Sequence, residues 1–123
     1  MGRFRQMAER YEGPAERLAW YERLVATQPD VERKGATMPY TSRNLHMFSF
    51  LDSTGTMALR LSDDDRSRFV EEYAASLAEQ YGRVMKEYVV VPDDLFGRTE
   101  ELSDWFRRSH EWIGTLKPKS TTR

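Results

Sequence analysis

The sequence has no cysteine. Disulfide frameworks, zinc ribbons, iron–sulfur clusters and thiol nucleophiles are thereby excluded. A domain of this size outside the cell often needs disulfides, so their absence predicts a cytoplasmic protein. Long apolar runs are also missing. Stretches such as Val89-Val90-Val91 fall far short of the ~20 residues a spanning helix needs, so no membrane association is expected. The N-terminus lacks the apolar stretch of a signal peptide, and Gln6 stands where a myristoylation site needs Ser or Thr. An excess of either charge is absent too. Nineteen basic residues face 20 acidic ones, a net charge of -1. Proteins that grip phosphate backbones usually carry a basic excess, so no specific nucleic-acid binding is expected.

Catalytic signatures are equally scarce. No Gly-x-Ser-x-Gly elbow, Walker loop or Gly-x-Gly-x-x-Gly turn occurs, so no cofactor and no catalytic residues are assigned. Paired carboxylates leave no sequence signature, and that reading stays open. The two histidines, His46 and His110, lie on different elements with no acidic cluster at ligand spacing, and no metal site is expected. Asp63-Asp64-Asp65 follows Ser62 and reads as a capped helix start. Three adjacent helical residues point in different directions, which disfavours a metal site there.

What is present is a patterned chain of 123 residues, long enough for one core between a sheet and a helical layer. Phe4, Met7, Ala8 and Tyr11 fall on one helical stripe, an amphipathic arm over 1–13. Gly13-Pro14 breaks it, and a helix is predicted over 14–27 with Leu18, Tyr21, Leu24 and Val25 inward. Strands are predicted over 31–38, 46–51, 56–61 and 84–91. Alternation places Phe48 and Phe50 on one face, matched by Met57, Leu59 and Leu61, and sends Met47, Ser49, Ala58 and Arg60 to the other. A second helix is predicted from Ser62 through Phe69, Val70, Tyr73, Ala74 and Leu77 to Tyr81-Gly82. A last helix carries Leu102, Trp105, Phe106, Ser109, Trp112, Ile113 and Leu116 on one face. Residues 118–123 read as a disordered tail.

The predicted architecture is α+β in two layers. It has an antiparallel four-stranded sheet with helices on one face, in the order α-β-β-β-α-β-α. Residues 14–117 form its single domain.

Three segments resemble the TfoX/Sxy N-terminal domain family: Asp64-Asp65-Arg66-Ser67-Arg68-Phe69, Val84-Met85-Lys86-Glu87-Tyr88-Val89-Val90-Val91-Pro92 and Leu102-Ser103-Asp104-Trp105. Lys34-Gly35-Ala36-Thr37-Met38-Pro39-Tyr40 looks like the branch of stand-alone single domains. The resemblance covers about residues 15 to 118. It implies a two-layer α+β fold and a link to regulation of natural competence, and it implies no catalytic residues. Met38-Pro39-Tyr40-Thr41 departs from the Gly-Gly turn associated with the regulators that carry a second, C-terminal domain.

The expected function is therefore a non-enzymatic interaction and regulatory module acting through protein contacts, including a homodimer. The alternative is a small-molecule or anion binder using the 34–44 loop. There Lys34, Tyr40, Arg43, Asn44 and His46 collect cations and hydroxyl or amide groups beside Arg33 and Gly35, with Lys86 on a later strand. A sheet face left open by one-sided helices is the other candidate surface. It can seed a dimer, or the N-terminal arm can cover it through Phe4, Met7 and Tyr11.

Overall fold

The computed structural model describes residues 10–118. Pro14 precedes α1 (Ala15–Val25), where its missing N–H is no loss. Three antiparallel strands follow: β1 (Tyr40–Arg43), β2 (His46–Leu51) and β3 (Met57–Arg60). The Ser62 hydroxyl accepts the Asp65 N–H and starts α2 (Asp63–Tyr73), whose acidic first turn complements the helix dipole. Then come β4 (Leu77–Gln80), β5 (Arg83–Val90), a single turn α3 (Asp93–Phe96) and α4 (Thr99–Ile113). The sheet runs β1-β2-β3-β5-β4, antiparallel throughout.

The α+β class holds, but the sheet has five strands and not four. The predicted second helix stops at Tyr73. Ala74 adopts a left-handed conformation at φ 51° and its N–H bonds the Val70 carbonyl, which turns the chain back. Leu77 is then on a strand, and Tyr81-Gly82 is a hairpin turn with both residues at positive φ. The strand predicted over 31–38 is also absent. Only a Lys34–Tyr40 bridge occurs there, and the first strand begins at Tyr40. Gly35 at φ 83° and Pro39 shape a loop, so the order becomes α-β-β-β-α-β-β-α-α.

The face assignment changes for one physical reason. Thr41 pairs with Ser49 and Ser42 with Met47, so Phe48 is an extra residue in a β-bulge. Phe48 and Ser49 both turn towards the helices. Phe48 packs on Phe106 at 5.4 Å, and the Ser49 hydroxyl shares hydrogen bonds with Tyr21 (2.6 Å) and Thr41 (2.5 Å). Phe50 falls on the opposite face, where Met47 and Ala58 were expected and are found. Leu51 is fully buried in the main core.

That core joins the sheet to α1, α2 and α4 through Tyr21, Leu24, Leu59, Phe69, Val89, Trp105 and Phe106. Trp105 meets Phe69 edge-on at 5.1 Å. No helical residue takes part in the second cluster, which contains Phe50, Ala58, Ala78 and Tyr88 with Met38, Tyr40, Met47, Met85 and Val90 packed on it. Helices thus cover one face. The other is covered in part by the β4–β5 hairpin. Its register jumps between Leu77↔Val89 and Ala78↔Met85, and Ala78 and Met85 join the same cluster as Phe50.

Tyr11 packs against the main core. The rest of the predicted arm stripe, Phe4, Met7 and Ala8, lies outside the described residues, as does the tail beyond Pro118. Among the described residues no helix is long and apolar enough to cross a membrane.

Candidate functional site

The residues singled out in the sequence do not form one pocket. Arg43, Asn44 and His46 surround the β1–β2 turn, where Asn44 and Leu45 both have positive φ (60° and 65°). The turn is pressed onto the C-terminal end of α4. The Arg43 guanidinium donates to the His110 carbonyl at 2.8 Å and lies so close to Gly114 that a Cβ there would collide with it. Asn44 Nδ2 donates to the Leu116 carbonyl at 2.8 Å, with the Ile113 and Gly114 carbonyls at 3.3 and 3.4 Å. His46 Nε2 is 2.7 Å from the Lys117 carbonyl, and since a carbonyl only accepts, the ring donates there. Arg43 is a second donor to the His110 carbonyl, which also accepts the Gly114 N–H, and Asn44 and His46 bond the Leu116 and Lys117 carbonyls just beyond the helix, whose dipole favours positive groups at that end.

His46 Nδ1 faces Arg60 at 3.4 Å. Arg60 in turn binds Glu87 at 2.6 Å and stacks over Trp112 at 5.5 Å. His110 Nδ1 sits 3.4 Å from Arg43. Its pKa falls below the ordinary histidine value, first because of burial and second because of the Arg43 charge.

Lys34 and Tyr40 exchange two backbone hydrogen bonds, and the Lys34 ammonium reaches the Ser42 hydroxyl at 3.2 Å. Tyr40 contributes to the second cluster. Arg33 binds Glu22 at 2.9 Å and the Gly35 carbonyl at 2.7 Å. Lys86 stands apart on β5, exposed beside a shallow cavity of about 380 Å³ that Arg60, Met85, Glu87 and Tyr88 also line.

The acidic start of α2 also has a structural role. Asp65 is buried and takes a bidentate Arg108 contact at 2.9 and 2.7 Å, with Arg68 at 3.0 Å. Among the described residues no group of three or more His, Asp or Glu side chains could hold a metal ion. Burial raises the Tyr21 hydroxyl pKa, and it pushes Tyr88 up to about 12. Neither phenol is poised for proton transfer near neutrality.

The surface that stands out is one the sequence reading missed. Among the described residues four large apolar side chains are exposed: Leu45, Leu77, Tyr81 and Val84. Three of them lie on the β4–β5 hairpin, and Tyr81 at its tip is 96% exposed. β4 is an edge strand, presenting unpaired backbone donors and acceptors on its outer side. Beside it lies a groove of about 630 Å³ between α2 and β4, lined by Arg66, Ser67, Val70, Glu71, Ala75, Ser76 and Leu77. Two local signals encode this surface, the left-handed Ala74 and the positive-φ Tyr81-Gly82 turn. Only the Gly of that turn was visible in the sequence, where it also fits a helix stop.

Comparisons of the chain with protein-family models, curated proteins and solved structures give no match.

Proposed function

We propose that the chain is a non-enzymatic interaction and regulatory module, resembling the TfoX N-terminal domain, that acts through protein contacts at the β4–β5 hairpin. The observation that carries this reading is the placement of Leu77, Tyr81 and Val84 together on an edge hairpin. Exposed apolar groups cost solubility unless a partner covers them, and edge strands are ready templates for pairing. A link to regulation of competence rests on the family resemblance alone.

The alternative, an anion binder using the 34–44 loop, is disfavoured by where its polar groups point. Arg43, Asn44 and His46 are directed at carbonyls at and beyond the end of α4.

The test is comparative affinity capture. Wild-type protein and a variant carrying Leu77→Ser, Tyr81→Ser and Val84→Ser are used as baits, with melting curves showing both folded. The reading expects protein partners held by the wild type to be lost from the variant. Identical captures from the two folded baits would refute it.

A further inference from the structure

Tyr81 presents an energetic imbalance within one chain. It holds a left-handed φ of 54°, a backbone region that L-residues other than asparagine and aspartate rarely adopt without cost. At 96% exposure its ring recovers almost nothing by burial in its own chain. Glycine or asparagine would make the turn without that cost. A bulky ring held out on a strained turn gains its return from outside the chain.

Resting on the hairpin being the contact surface, we propose that its partner is a second copy of this chain. The two copies pair antiparallel along β4 about a two-fold axis, and Tyr81 of each enters the α2–β4 groove of the other.

Symmetry and alternation limit the register. Residues directly opposite in an antiparallel pair share a face. On β4, Leu77 and Glu79 are exposed while Ala78 between them is buried. A two-fold axis normal to the sheet must therefore lie midway between the two copies of one residue. Centring it on Glu79 sets two carboxylates face to face, which is unfavourable. Centring it on Ala78 sets Leu77 against the stem of Glu79 and brings Tyr81 opposite Ala75. Ala75, Val70 and Leu77 are the apolar lining of the groove, whose volume of about 630 Å³ accommodates a phenol ring. Two buried tyrosines alone supply ~400 Å². Strand pairing and the Leu77 contacts add to this towards the ~1,000 Å² of a specific interface. The surface is isologous: knob and groove lie on the same chain, as two-fold association requires.

Sedimentation velocity at about 100 µM, a concentration that populates micromolar dimers, tests this on the full chain. Wild type is expected to sediment as a dimer. Tyr81→Gly is expected to be monomeric yet to melt higher than wild type, since glycine relieves the turn while removing the knob. A merely structural tyrosine would not separate those two readouts. A monomeric wild type, or a Tyr81→Gly variant that dimerises as wild type does, overturns self-pairing. If such a monomer still loses another protein when Leu77, Tyr81 and Val84 are replaced, self-pairing fails while the hairpin remains an interaction surface.

Discussion

Asn44 is the most informative single position outside the hairpin, because two separable effects meet there. Its side chain clamps the segment that leaves α4, through one good hydrogen bond to the Leu116 carbonyl at 2.8 Å and two long ones to the Ile113 and Gly114 carbonyls at 3.3 and 3.4 Å. Its backbone sits at φ 60°, where asparagine is tolerated far better than most L-residues. Asn44→Ala removes both advantages. The lost clamp is worth about 1–1.5 kcal/mol. Placing alanine in the left-handed region adds about 1 kcal/mol. The sum, about 2–2.5 kcal/mol, corresponds to about 8–10 °C in melting temperature at ~4 °C per kcal/mol. Asn44→Gly keeps the backbone comfortable and loses only the clamp, so it should cost about half as much. Asn44→Asp keeps the shape but cannot donate, and it adds a negative charge at the negative end of a helix. It should be at least as damaging as the glycine variant. Urea unfolding of the three variants, with the m-value held as a control, gives the ordering directly. If all three stay within ~0.5 kcal/mol of wild type, the turn is not a clamp and is free to act as a binding loop.

Other perturbations follow from the same contacts. Ala74 sits at φ 51° at the C-cap of α2, so Ala74→Gly should stabilise the fold by ~1 kcal/mol in urea unfolding, and a loss of stability would contradict the cap geometry. Asp65→Asn weakens a buried carboxylate held by Arg108 and Arg68, partners that are themselves 39% and 57% exposed. A cost of about 2 kcal/mol is expected, below that of a fully buried pair, and an unchanged denaturation midpoint would remove the pair from the stability account. The His110 pKa is lowered in the folded state from an ordinary value of 6.5. Between the folded and the ordinary value the unfolded chain binds the extra proton, so stability is full above about pH 6.5 and falls as pH drops through that window. His110→Gln should flatten this part of the profile, and parallel profiles for variant and wild type would contradict it.

The legible parts of this fold are those where one local signal is strong. Pro14, Ser62 with its acidic turn, and the stripe from Leu102 to Ile113 mark three helix positions because caps and amphipathic spacing are properties of neighbouring residues. β2, β3 and β5 are legible by alternation. β4 is hidden because Ala74-Ala75-Ser76-Leu77-Ala78-Glu79 is composed largely of good helix formers, and only pairing with β5 overrides that preference. The bulge at Phe48 is hidden for a different reason. Phe48 and Phe50 look like one alternating face whether or not an extra residue intervenes. The turn at Arg43, Asn44 and His46 is legible as a polar cluster, but its partners lie about 70 residues away in sequence at the end of α4. The hairpin surface depends wholly on β4, so the sequence concealed it together with the strand.

Photo-crosslinking from the hairpin tip tests most directly whether this surface meets another polypeptide. Benzoylphenylalanine replaces Tyr81 in one preparation and Glu16, exposed on α1, in another, and both are irradiated in cells expressing the folded protein. A covalent protein adduct is expected from position 81 and none from position 16. No adduct from position 81, or equal adducts from both positions, would contradict the assignment of the hairpin as the contact surface.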